Sequence, residues 1–147
     1  EEDIVAWAAE VCGLVADEAQ ARVLRSAGRR VILKCSRQWG KSTVAAVKAL
    51  WTAKTTPGAL VLVMSPSRRQ SGEFLRKVEG LVRGMGEKVV RDGVNELSLV
   101  VGQGSRVVGL PGVEATMRGY SAVDLLIIDE AARVSDEQYY AAGAVLA

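Results

Sequence analysis

The sequence predicts an α/β fold on a mainly parallel sheet, arranged in three αβα layers. Three observations point there: solid apolar runs, amphipathic stretches between them, and Gly- or Pro-bearing turns at the joints. The runs VILKC (31–35), ALVLVMS (59–65) and DLLIID (124–129) are short and rich in Val, Leu and Ile. Strands buried on both faces of a sheet have this composition. Between the first two runs lies GKSTVAAVKALWTAK (40–54), in which Val44, Val47, Ala49, Leu50 and Trp51 form an apolar stripe at helical spacing. Pro57-Gly58 closes that helix. Strand, turn, helix, turn, strand is a βαβ unit, which requires parallel strands joined by a right-handed crossover.

The other elements follow from the same signals. Residues 3–27 read as mostly helical, interrupted near Gly13 and Ala16-Asp17. A helix is expected from Ser67 to Val82, burying Phe74, Leu75, Val78, Leu81 and Val82. LSLVV and RVVGL, split by Gly-Gln-Gly-Ser, carry a hairpin signal within 84–112. A last helix is expected over 135–146, with Ser135 as N-cap and Glu137 in its first turn.

With 147 residues and 49% hydrophobic content, the chain has the size of one domain with ample core. Its net charge of +2 says little about a nucleic-acid partner. The pairs Arg29-Arg30, Arg68-Arg69 and Arg76-Lys77 are candidates to meet phosphates, and solvated surface is the other reading. Two cysteines, Cys12 and Cys35, make no disulfide framework and read as reduced thiols. The absence of histidine excludes a Ser-His-Asp triad, an H-E-x-x-H zinc site and any histidine general base. No apolar run nears the roughly 20 residues that span a bilayer, and Glu1-Glu2-Asp3 is unlike a signal peptide. The expectation is a soluble, intracellular protein with no membrane partner.

The stretch CSRQWGKS (35–42) follows the first apolar run and opens the 40–54 helix. A turn between strand and helix aims several backbone N–H groups and the positive helix end at one anion. Gly40 takes the position where the backbone must pass close to phosphates. Lys41 adds a charge for the β- and γ-phosphates, and Ser42 has the hydroxyl that holds Mg²⁺. The competing reading makes Lys41 an ordinary lysine at a helix start. LLIIDE is an apolar strand ending in two carboxylates, like the second signature of P-loop NTPases. Asp129 at its tip suits a magnesium-bound water, and Glu130 suits an attacking water. Alone, the pair also fits a cap before a helix. Together the two stretches resemble those of P-loop NTPases of the RecA/ASCE type, which is the fold they lead one to expect.

SRQWGKST with LLIIDEAARV resembles the ATPase domain of the large terminase subunit, the DNA-packaging motor of tailed bacteriophages. The family commonly replaces the first phosphate-loop glycine and places Arg-Gln before Gly-Lys-Ser/Thr, so Cys35 and Arg37-Gln38 match its variant. SPSRRQSGEFLRK (65–77) and ATMRGYSAVDLLIIDEAARV (115–134) extend the likeness, while 87–112 contribute little. The resemblance implies one partial ATPase domain over 1–147, with an adenine-binding helical segment at 1–30 and a P-loop core at 31–147. It implies ATP and Mg²⁺ held by Ser36, Arg37, Gln38, Trp39, Gly40, Lys41, Ser42 and Thr43. Ser42 and Asp129 are its metal residues, and Glu130 is its catalytic carboxylate. ADEAQARVL (16–24) is similar to the segment whose glutamine reads adenine, which implies Gln20, although Ala16, Glu18 and Ala19 replace a usual proline and aromatic. Plain helix surface is the other reading of Gln20. Arg37 resembles an arginine that senses the γ-phosphate from the same subunit. Arg118 is the candidate finger reaching a neighbouring subunit, with a salt bridge to Asp124 or Glu114 as its alternative.

The implied partners are double-stranded DNA, a homo-oligomeric ring of large subunits, the portal and the small terminase subunit. The implied place is the cytoplasm of a phage-infected or prophage-carrying bacterium. Terminases continue beyond the carboxylates with a coupling strand, further ATPase core and an RNase H-like nuclease domain, so a fold incomplete at its C-terminus and no nuclease activity are expected. The coupling strand of that family lies between the loop-bearing and carboxylate-bearing strands. Its central slot is therefore expected to be empty or irregularly filled, leaving two unpaired edges. Two other functions stay open: a superfamily 2-like helicase ATPase, suggested by Asp129-Glu130-Ala131-Ala132, and an inactive nucleotide-binding fragment.

Overall fold

A computed structural model of the protein describes residues 3–26, 30–33, 41–65, 68–90, 97–110 and 122–129, with backbone alone for 30–33, 41–42 and 129. The three apolar runs become strands β1 (Arg30–Leu33), β2 (Leu60–Met64) and β5 (Leu125–Asp129). The hairpin signal becomes β3 (Ser98–Val101) and β4 (Ser105–Leu110). The helices are α1 (Ile4–Val11), α2 (Glu18–Arg25), α3 (Lys41–Thr55) and α4 (Arg68–Gly84). The helix expected over 135–146 lies outside the described residues.

The sheet has the order β1-β5-β2-β4-β3. β1, β5, β2 and β4 are mutually parallel, and β3 returns antiparallel to β4. Strand residues alternate between two apolar clusters, as a pleat of period two requires. Val61, Val63, Val107, Leu125 and Ile127 join the larger cluster with residues of all four helices. Leu62, Met64, Val108, Leu110, Leu126 and Ile128 form a second cluster on the opposite face. Burial on both faces explains why these strands read as solid apolar runs. The described helices supply one layer, against the first face.

The expectation of an open central slot is overturned. β1 pairs directly with β5, in the register Arg30↔Leu126, Val31↔Ile127, Ile32↔Ile128 and Leu33↔Asp129. An empty slot would leave the amides and carbonyls of two facing edges unpaired, at about 1–3 kcal/mol for each buried group. Closing the two strands on each other satisfies both edges, and the sheet runs unbroken from β1 to β3.

Elsewhere, small residues set close approaches. The β3–β4 turn uses Gly102 and Gly104 at φ 63° and 77°, values that L side chains rarely adopt. This turn seats on the end of α3, where the buried Ser105 hydroxyl donates to the Thr56 carbonyl (2.9 Å) and accepts from the Ala59 amide (3.1 Å). On β4, Gly109 lets α4 come in close: a Cβ there would stand 2.9 Å from the Ser71 Cβ. Ser71 is wholly buried and shares a 2.5 Å hydrogen bond with Ser65, the residue after β2.

Gly109→Ala is therefore expected to lose about 1–3 kcal/mol of stability through overpacking. Gly80→Ala, whose new methyl would meet open space on α4, is expected to gain up to about 1 kcal/mol. Urea titration of both variants checks the pair, and equal effects would contradict the close α4–β4 approach.

Candidate functional site

Because β1, β5, β2 and β4 run parallel, their C-terminal ends share one edge of the sheet. Asp129 ends β5 there, directly across from Leu33, the end of β1. Neighbouring strands lie about 4.8 Å apart, so these two backbones are in contact distance. On the other side of β5, Ile128 pairs with Met64, which puts Ser65 one step beyond that pairing. Asp129 has the same parity along β5 as Leu125 and Ile127, the two residues that join the helix-side cluster.

The helix α3 brings its first turn to this same edge. Its C-terminal end is fixed at the opposite edge, because Ser105 at the start of β4 binds the Thr56 carbonyl. The Cβ position of Gly102 also lies 3.4 Å from the Ala53 carbonyl oxygen. A helix of 15 residues is about 22 Å long, enough to run back across the sheet. Lys41 and Ser42 thus open α3 toward the edge where the parallel strands end. The first turn holds no carboxylate of its own to oppose an anion at its positive end. Thr43 adds a contact that no sequence pattern marked: its hydroxyl accepts a 3.0 Å hydrogen bond from the Lys77 ammonium of α4. A second cation is therefore tied to the first turn of α3.

Gln20 lies on α2, where it takes part in the helix cap. Asp17 caps the helix by accepting from the Gln20 amide (2.8 Å), and Gln20 Oε1 accepts from the Asp17 amide (3.0 Å). These reciprocal bonds form a capping box. α2 is held to α3 at its other end. Lys48, only 6% exposed, donates to the Leu24 carbonyl (3.0 Å) and the Ser26 carbonyl (2.9 Å). Those are carbonyls of the last turn and C-cap of α2, the partially negative end of a helix. Burial pushes the Lys48 ammonium below its ordinary value of 10.5. Trp7 of α1 and Trp51 of α3 add an edge-to-face ring contact with centroids 5.3 Å apart. Lys48 sits within VAAVKALW, apolar on every side, which is the signal that could have marked it as buried.

Of the expected site residues, Lys41, Ser42, Thr43 and Asp129 thus lie at one edge, whereas Gln20 is engaged in its own helix cap. Ser36, Arg37, Gln38, Trp39, Gly40, Arg118 and Glu130 lie outside the described residues. Asp124, the alternative partner of Arg118, accepts a 3.0 Å bond from the Leu60 amide and pins β5 to β2. Cys12 is a free thiol whose pKa burial raises, which disfavours the thiolate. Among the described residues no three metal-ligating side chains gather. None of their helices is long and apolar enough to cross a membrane.

No protein-family model matches the chain. Two curated proteins are similar to it, each named "Terminase, large subunit", from Thermus virus P23-45 and Thermus phage G20c. Each is 29% identical, and the alignment covers 85% of this chain. The chain spans 30% of the length of either relative.

Lys48→Met is expected to cost about 1–3 kcal/mol, since the Leu24 and Ser26 carbonyls lose their donor. Between the lowered native value of Lys48 and 10.5, the unfolded chain binds more protons than the folded one. Stability from this group therefore rises with pH across that window and is flat below it. Urea titrations of wild type and variant from neutral pH to 10.5 should show their difference widening with pH. A constant difference would contradict a charged, desolvated Lys48.

Proposed function

Because this chain is a distant homologue of phage terminase large subunits, we propose that it binds and hydrolyses ATP as part of a motor that drives DNA into a procapsid. The observation that carries the proposal is the shared edge where β1 and β5 end side by side and α3 begins. A nucleotide seated there meets a positive helix end on one side and a strand-end carboxylate on the other.

The residues take the following parts. Ser36, Arg37, Gln38, Trp39 and Gly40 form the turn around the phosphates, with Gly40 allowing close backbone approach. Lys41 binds the β- and γ-phosphates. Thr43, with its hydroxyl engaged by Lys77, fixes the first turn of α3. Arg37 contacts the γ-phosphate within the subunit, and Arg118 reaches the site of a neighbouring copy in a ring. Gln20, which also closes the capping box of α2, would read the adenine.

Mg²⁺ would be held by Ser42 and, through water, by Asp129, and when bound it neutralises phosphate charge. The donor set fits: Mg²⁺ prefers one or two protein oxygens plus phosphates and water to an all-protein cage. Glu130 orients a water and takes its proton as the water oxygen bonds to the γ-phosphorus. The bond from that phosphorus to the β–γ bridging oxygen breaks, and ADP departs with the electron pair. Lys41 and the α3 amides stabilise the developing charge. In the intact motor, a ring of subunits, the portal and the small terminase subunit would be the partners.

Lys41→Ala should weaken ATP binding about 10- to 100-fold, the loss of one charge-assisted contact. Glu130→Gln should leave binding intact and slow hydrolysis about 10²- to 10⁴-fold. Fluorescent-nucleotide titration and phosphate-release assays read the two effects. Wild-type turnover in Glu130→Gln would overturn the catalytic assignment, and wild-type affinity in Lys41→Ala would overturn the site.

A further inference from the structure

The net positive charge of this protein falls on one helix. α4 carries Arg68, Arg69, Arg76, Lys77 and Arg83 against Glu73 and Glu79, a net charge of +3. The whole chain has a net charge of only +2, so everything outside α4 is net negative by one. α4 buries Ser71, Phe74, Leu75, Val78 and Val82 against the sheet and α3. At 100° per residue, Arg69, Arg76 and Arg83 fall on the opposite side, one every two turns. The three span about 21 Å along the axis.

We propose that this outer face of α4 docks the sugar–phosphate backbone of duplex DNA, through Arg69, Arg76 and Arg83. The surface itself is argued from charge and shape; the choice of DNA among polyanions rests on the function proposed above. Arg76 has no ion pair among the described residues. Arg69 is 3.2 Å from Glu73 in an exposed i,i+4 pair. Such a pair holds by only a few tenths of a kcal/mol, so a phosphate competes with it readily. Arg83, itself exposed, is 3.6 Å from Glu79, whose side chain is largely covered.

Two glycines shape the same face. Gly72 and Gly80 lie between the arginines inside a 17-residue helix, where each costs about 1 kcal/mol relative to Ala. The packing of the described residues does not require them. A Cβ at Gly80 would meet nothing within 4 Å, and one at Gly72 would meet only the tip of Arg76, at 3.4 Å. They leave bare backbone between three cations, room for a phosphate chain to come close.

The face also discriminates among partners. Phe74, the one aromatic of α4, is buried, so the surface offers no platform on which single-stranded bases would stack. It exposes no large apolar side chain to seed a protein–protein core. What remains is backbone recognition of a regular polyanion. Beside Arg76, Lys77 makes the contact to Thr43, so this surface adjoins the first turn of α3.

The test is anisotropy titration of a labelled DNA duplex by the full chain over a series of salt concentrations. Each phosphate contact contributes about −0.9 to the slope of log K against log salt. The triple variant Arg69→Ala, Arg76→Ala, Arg83→Ala should bind more weakly, with a slope shallower by about 2.7. Arg22→Ala, removing an exposed cation of α2, should leave the slope unchanged. A wild-type slope in the triple variant, an equal effect of Arg22→Ala, stronger binding of a single strand, or no binding of duplex at low salt would each overturn the proposal. Circular dichroism confirms that the variants fold, which surface arginines should not disturb. Nucleotide titration of the same triple variant separates the two readings. ATP bound normally with DNA lost supports this surface, whereas DNA bound normally with ATP lost by Lys41→Ala sinks this surface alone.

Discussion

The parallel pairing of β1 with β5 is the constraint on which the rest of this molecule depends. Four residues of β1 run in register with β5, ending at Leu33 opposite Asp129. With β2 on the other side of β5, the carboxylate-bearing strand becomes an interior strand of the sheet's parallel part. The connection from β1 to β2 must then pass over β5, and α3 makes that passage. A single pairing thus brings the end of one strand, the acidic tip of another and the start of a helix to one edge.

α3 is also the element to which the neighbouring helices are tied, and both ties are made by lysines. Lys48 holds the C-terminal end of α2 through two carbonyls while almost wholly buried. Lys77 reaches from α4 to Thr43 in the first turn. The apolar faces of these helices supply the adhesion, and burial of each large side chain contributes about 1.5–3 kcal/mol. The lysine contacts add direction, because an ammonium donates along few lines and finds few acceptors. The close seat of α4 rests on the smallest residues available, Gly109 against Ser71. Bulk on either side would push α4 outward and draw Lys77 away from Thr43.

Much of the fold was legible in the sequence, because parallel strands buried on both faces leave unbroken apolar runs. VILKC, ALVLVMS and DLLIID each became a strand, and Gly-Gln-Gly-Ser marked the hairpin. The neighbour of β1 was not legible. Strand order depends on which edges remain unsatisfied, and family likeness supplied an inserted strand where β1 and β5 in fact close on each other. For a site the sequence offered positions alone, GKS at a strand–helix junction and a carboxylate at a strand tip, and Lys41 does open α3 while Asp129 ends β5. Its supporting contacts were not legible. Lys48 and Lys77 act across 22 to 34 residues of sequence, distances at which periodicity carries no information. Gln20 illustrates the converse, since Asp17 three residues earlier suffices for a capping box that any surface helix would welcome.

The shared edge itself is tested most directly by placing a paramagnetic ion in it. With Mn²⁺·ATP added to isotope-labelled protein, the account predicts selective broadening of the backbone amides of Ser42, Thr43 and Asp129. The amides of Leu60 and Ser105, at the far edge of the sheet, should keep their linewidths. Broadening centred on that far edge, or none at any amide of α3 and β5, would contradict it.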